Sequence, residues 1–241
     1  MTIRQGSFAE TKGHPLLCDL VFLVCAALFA WLAMRGILEI SADGAALDSD
    51  LQTYAQGMTA ERYPELFAAD PALNARTEAN SIPNLERYLA DKLAPDDNFA
   101  AGLLRAGAFA IFFFYAGWYA FGRRLLKYPS LAAALALCCG VTFWVGWGTF
   151  WGVLHSDPVP RTFFAAIFPF LLVFLLAALR VAWLRPLCML ATGLCMWVHG
   201  VSALNCGAMF FAAFLFIKPP NQTLPNHINN CALALIAFAA P

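Results

Sequence analysis

The chain has 241 residues, of which 61% are hydrophobic and 12% charged, about half the charged share of an average soluble domain. Its 15 basic and 15 acidic side chains cancel to a net charge of zero, which gives no reason to expect a nucleic-acid partner. The composition is that of a membrane protein, and its partners have to be read from where the charges lie.

A polar N-terminus, residues 1–15, carries Arg4 and Lys12. The first apolar run, Leu16 to Leu38, has the roughly 20 residues that a bilayer helix needs. It is too long for a signal-peptide core, and no small-residue cleavage site follows it. It reads as a retained transmembrane helix, with Asp19 and Arg35 near its ends as interface anchors.

Residues 39–98 form the one long polar segment. Asp48 there is placed to cap a helix running to about Glu61, with Leu51, Tyr54, Ala55 and Met58 on one face. A second helix is expected after Ser81 and Pro83, with Leu85, Tyr88, Leu89 and Leu93 on one face.

Residues 99–217 read as a bundle. Three runs have spanning length: Phe99 to Phe121, Leu131 to Val153 and Thr162 to Leu184. Arg123, Arg124 and Lys127 follow the first of them, and Arg180 and Arg185 close the last. The positive-inside bias puts these clusters in the cytoplasm, and the loop of residues 39–98 and the turn His155 to Arg161 outside. The stretch Pro186 to Ile217 would measure roughly 48 Å as one helix, too long for a ~30 Å hydrocarbon core. Trp197-Val-His-Gly200 in its middle predicts two short helices, about Pro186 to Val198 and Ser202 to Ile217, meeting at His199.

Residues 218–241 read as a turn-rich linker, Pro219 to Asn230, and an apolar piece, Cys231 to Ala240, of about half a span. That length points to a chain that continues further, or to a tail packed at the interface. The eight cysteines all lie in or beside apolar runs, which argues against a disulfide framework. They read as small packers, and Cys188 and Cys195 lack metal-ligand spacing. The predicted fold is therefore all-α: a polytopic transmembrane helical bundle with a helical extracytoplasmic loop between its first two spans, in the cell membrane and in contact with its lipids.

Few residues suggest chemistry. Asp48 and Asp50, just outside the first span, are suited to act as a general base or to ligate a divalent cation such as Mg²⁺ or Mn²⁺. Two residues apart they cannot share a helix face, so a cap plus a solvated acid is the plainer reading. Arg161 at the start of a span is suited to hold a phosphate, to anchor in lipid headgroups or to pair with Asp157. His155 and His199 fall on the same outer side, where either is a candidate for substrate binding or for a structural hydrogen bond. There is no glycine-rich phosphate loop, Ser-His-Asp arrangement or dinucleotide fingerprint.

The first span followed by Asp50-Leu-Gln-Thr-Tyr54, Tyr63-Pro-Glu-Leu-Phe67 and Asp70-Pro71, together with Pro160-Arg-Thr-Phe-Phe and Trp197-Val-His-Gly200, resembles the N-terminal part of bacterial polytopic proteins related to the GT-C superfamily of membrane glycosyltransferases. That resemblance implies transfer of a sugar from a polyprenyl-phosphate-linked donor at the extracytoplasmic face. It assigns the acidic role to Asp50 or Asp48, and donor phosphate to Arg161. Two other readings compete with it. One is a non-catalytic membrane scaffold whose loop binds a partner; the other is a transporter-like module, which the scarcity of ionisable residues inside the spans disfavours.

Overall fold

The computed structural model of the chain describes residues 15–41, 49–70, 84–144, 158–219 and 222–241. Among these residues all regular structure is helical. In order, the α-helices are α1 (Pro15–Ser41), α2 (Ser49–Arg62), α3 (Asn84–Leu93), α4 (Phe99–Leu125), α5 (Pro129–Trp144), α6 (Pro160–Arg180), α7 (Leu184–Leu194), α8 (Met196–Phe216) and α9 (Leu224–Phe238).

Helix α4 is the axis of the bundle, packing against α1, α2, α3, α5 and α6. Its start is set by Asn98, whose side-chain oxygen accepts from the Ala101 amide at 3.1 Å, filling one of the free donors of a helix N-terminus. Its last turn carries Arg123 and Arg124, which suit the negative end of the helix dipole. Small residues let its neighbours approach: a side chain at Gly117 would meet Pro169 Cγ of α6 at 2.6 Å. Helix α1 buries only a narrow seam, Ala26, Ala30 and Met34, four residues apart. The rest of its apolar surface, including Leu16, Leu28 and Trp31, is exposed, as a lipid-facing helix would be and a water-facing one would not.

Two cores result. The larger one joins α1, α4, α6, α7, α8 and α9 through residues such as Phe114, Phe163, Met189, Phe210 and Cys231. The smaller one, at the end of the bundle beside the polar loop, gathers Leu51 and Met58 of α2, Ala90 of α3 and Phe99, Leu103 and Leu104 of α4. Tyr54 and Ala55 pack against it, so the α2 stripe faces inward as its periodicity predicts.

Several expectations need correction. On α3, Leu89 and Leu93 pack inward, but Leu85 and Tyr88 are exposed, and Glu86 and Ala90 are fully buried. The cause is the close approach of α3 to α4: any side chain at Gly102 would collide with the Ala90 carbonyl, so the face carrying the small Ala90 has to turn inward. Asp19, expected as an interface anchor, instead makes an ion pair with Arg123 Nε at 2.9 Å and accepts from the Tyr119 hydroxyl at 2.5 Å, tying α1 to α4. Arg35 does stay at the surface, paired with Glu39.

The run Thr162 to Leu184 does not form one helix. It ends at Arg180, Val181 is extended, and α7 begins at Leu184. The expected break at His199 is present, since His199 has φ −155 and ψ 99 inside α8. A further interruption falls at Cys195, so the helix expected to reach Val198 stops at Leu194. The fourth long apolar helix is therefore Met196–Phe216, and of the run Leu131 to Val153 the described part is helical to Trp144. Residues 224–230, read as linker, are the first half of α9, which buries His227, Cys231 and Ala234 against the bundle.

Arg185 explains much of this end of the molecule. It lies on α7 fully buried, and donates to the carbonyls of Phe214 at 3.1 Å and Ile217 at 2.5 Å, at the C-terminal end of α8. It also donates to His227 Nδ1 of α9 at 3.1 Å, and its Nε lies 3.5 Å from the Ala178 carbonyl of α6. A guanidinium presents enough donors in a rigid fork to serve three helix ends at once.

Candidate functional site

Asp50 lies in the first turn of α2, Arg161 is the second residue of α6, and His199 sits at the interruption of α8. Pro160 at the first position of α6 presets the entry angle, because its missing N–H would have had no helical partner anyway. Arg161 then reaches sideways from α6 to α2. Its guanidinium nitrogen is 3.4 Å from Asp50 Oδ2, with the arginine side chain 33% and the carboxylate 51% exposed. The charge of Arg161 also acts on the His199 imidazole. Thus Asp50 and Arg161, far apart in sequence, meet at the loop-side end of the bundle, and α6 packs against α8, which carries His199. Asp48 and His155 lie outside the described residues.

The His199 ring has a local task. Its Nδ1 is 2.7 Å from Ser202 Oγ and accepts from the Ser202 backbone N–H at 3.3 Å. An extended residue whose side chain accepts from the amide three residues on is a helix N-cap, here restarting α8 after its break. Because Nδ1 is the acceptor, the ring proton belongs on Nε2, and the imidazole offers a donor there and no base. The His-x-x-Ser spacing is the sequence signal that could have revealed this role.

Arg161 and the Nε2–H of His199, on helices that pack together, are each suited to donate to an anionic oxygen. Asp50 neutralises Arg161 in the absence of such a ligand, and an arriving phosphate would compete with Asp50 for the guanidinium. A divalent cation does not fit the described residues: among them no three His, Cys, Asp or Glu side chains converge, and the Asp50 carboxylate faces a guanidinium.

At the other end of α2, roughly 12–18 Å along the helix from Asp50, α2, α3 and α4 enclose a cleft of about 490 Å³ with mixed charge on its walls. Glu61 pairs with Arg87, and Arg62 lies 3.6 Å from Asp91 and 3.3 Å from Asp97. Tyr88 and Phe99 add aromatic surface. Asp97 belongs to a tight turn, with φ of 49 at Asp96 and 59 at Asp97, a left-handed conformation that Asp tolerates better than most residues. The Tyr63 hydroxyl donates to Asp97 Oδ2 and clamps the end of α2 to the start of α4. That hydrogen bond, with the Arg62 guanidinium behind it, holds the Asp97 carboxyl below the usual carboxylate range. The same bond raises the Tyr63 phenol. The acidic turn Asp96-Asp97 before the capping Asn98 was visible in the sequence, but its partners were not.

These features define a class: a protein whose described residues form a helical bundle and hold four apolar helices, Pro15–Glu39, Phe99–Leu125, Pro160–Arg180 and Met196–Phe216, long enough to cross a membrane. Comparison with protein-family models, curated proteins and solved structures finds no match to this chain.

Proposed function

We propose that the protein is a multi-pass cell-membrane enzyme of the GT-C type, transferring a sugar from a polyprenyl-phosphate-linked donor at the extracytoplasmic face. The observation that carries the reading is the Asp50–Arg161 pair, at the end of the apolar helices where a lipid-borne phosphate would lie. In this reading Arg161 and the Nε2–H of His199 take the donor phosphate. Asp50, displaced from Arg161, takes the proton from an acceptor hydroxyl. The hydroxyl oxygen then bonds to the anomeric carbon as the bond from that carbon to the phosphate oxygen breaks, and the extra negative charge on the leaving phosphate stays opposite Arg161. The test is transfer from a polyprenyl-phosphate sugar in membranes carrying the protein. Asp50→Asn and Arg161→Ala should each lower the rate at least about 100-fold, the range expected for a lost acid–base or anion-stabilising group. Unchanged transfer in both variants would overturn the assignment.

A second reading, a non-catalytic scaffold, is favoured by one observation: Asp50 and Arg161 neutralise each other and His199 caps a helix, so all three have structural work. The same variants separate the readings. A scaffold would lose stability without any transfer activity to lose.

A further inference from the structure

The opposite end of the bundle carries a second polar cleft, of about 480 Å³, between the end of α6 and the first half of α9. On one wall is Arg180, exposed in the last turn of α6, whose side chain makes no hydrogen bond or ion pair among the described residues. On the other wall are Asn226, Asn229 and Asn230, which share one helix face by their spacing of three and four. Gln222 closes the cleft. Its Nε2 donates to the Asn226 carbonyl at 3.0 Å, which fixes the orientation of the amide, and its Oε1 is buried with no partner among the described residues.

A buried acceptor of this kind asks for a donor from outside the chain, and a guanidinium without a carboxylate asks for an anionic oxygen. One ligand satisfies both when it carries a phosphate and an N–H donor a few bonds away. Apolar surroundings say where that ligand comes from. Val181 forms part of the cleft, and Trp183, Leu224 and Ile228 beside it are exposed, an aromatic and aliphatic rim of the kind found where a helix leaves the hydrocarbon. Helix α9 is roughly 22 Å long, shorter than the ~30 Å hydrocarbon core, with its three asparagines in the half nearest Arg180 and Ala232 to Phe238 running the other way. With the apolar half of α9 in the hydrocarbon, the carboxamides would reach headgroup depth.

We infer that this cleft is a binding site for an aminophospholipid headgroup, with Arg180 on the phosphate and Gln222 Oε1, aided by the asparagine carboxamides, on the ammonium. A choline headgroup, with no N–H, satisfies Arg180 but leaves Gln222 Oε1 unpaired. The site sits at the end of α6 opposite Arg161, and it is independent of any transfer reaction.

The experiment uses the full chain in a neutral detergent, with binding followed by native mass spectrometry and by the shift in thermal midpoint. Dihexanoyl phosphatidylethanolamine is compared with dihexanoyl phosphatidylcholine and with inorganic phosphate. The expected result is saturable binding of the ethanolamine lipid, at least about tenfold tighter than either comparator, the discrimination a lost hydrogen bond to a buried acceptor produces. Arg180→Gln, at an exposed position that leaves packing intact, should weaken the ethanolamine lipid about 10- to 100-fold. Gln222→Ala should bring the ethanolamine and choline lipids to within about twofold of each other. Equal binding of both lipids by the unsubstituted chain would reduce the cleft to ordinary lipid contact and overturn the inference. So would inorganic phosphate binding as tightly as the lipid, which would make this a site for a free phosphate compound, and so would an Arg180→Gln variant that binds unchanged.

Discussion

Replacing Arg185 by methionine keeps the approximate length and volume of the side chain while removing all of its donors. Two carbonyls at the C-terminal end of α8, Phe214 and Ile217, and the Nδ1 of His227 then lose partners at 2.5 to 3.1 Å. The contacts to Ala178 O at 3.5 Å and Cys231 Sγ at 3.8 Å are too long to weigh much. Each orphaned buried acceptor, Phe214 O and His227 Nδ1, costs about 1–3 kcal/mol, and the part-buried Ile217 carbonyl adds about 1 kcal/mol, so the loss is roughly 3–7 kcal/mol. Against that stands relief from burying a charge with no carboxylate beside it, several kcal/mol by general experience with buried ions. The net expectation for Arg185→Met is a loss of about 2–5 kcal/mol, large against the 5–15 kcal/mol total of a typical folded domain. Arg185→Lys should recover less than half of it, because an ammonium cannot span acceptors set out for a planar fork. Reversible unfolding in mixed micelles, followed by tryptophan fluorescence, measures both. An Arg185→Met variant within about 0.5 kcal/mol of the unsubstituted protein would refute the idea that this guanidinium holds α7, α8 and α9 together.

Asp97 gives a pH dependence. Its carboxyl lies below the usual range in the folded chain, so its contribution to stability is present above about pH 4, its ordinary value, and disappears as pH falls through the lowered one. The gap in thermal midpoint between the unsubstituted protein and Asp97→Asn should be constant from pH 7 to pH 5 and close in more acidic solution, and a constant gap down to pH 2 would contradict the clamp. Gly193→Val should destabilise by about 1–3 kcal/mol, the range for overpacking, since a side chain there would strike the Phe238 carbonyl of α9; unchanged midpoints would show that α9 can shift freely. Cysteines placed at Glu65 and Ser130 in a background without native cysteines should react with an impermeant thiol reagent from opposite faces of the membrane, as the alternation of basic clusters requires. Reaction of both from one face would remove the proposed topology.

Local regularities carried much of the fold in the sequence alone. The length of the run at α1, the inward stripe of α2 and the break at His199 all follow from helix periodicity, bilayer thickness and the permissiveness of Gly200. Those forces act within a few turns of chain, so one sequence displays them. Where helices press on each other, local reading failed. The face of α3 was set by the backbone of α4 at Gly102, and α9 began inside an apparent linker because His227 and Cys231 had a bundle to pack against. Charge was the least legible property of all. Arg185 reads with Arg180 as a cytoplasmic basic cluster and Asp19 as an interface anchor, yet one is enclosed by helix-end carbonyls and the other is matched to Arg123. At the candidate site, topology put Asp50 and Arg161 at one boundary, but their 3.4 Å approach depends on how α2 and α6 each settle on α4. An ionic partner or a carbonyl cage is a matter of a few ångströms between segments a hundred residues apart, and only the tertiary packing of the helices decides that distance.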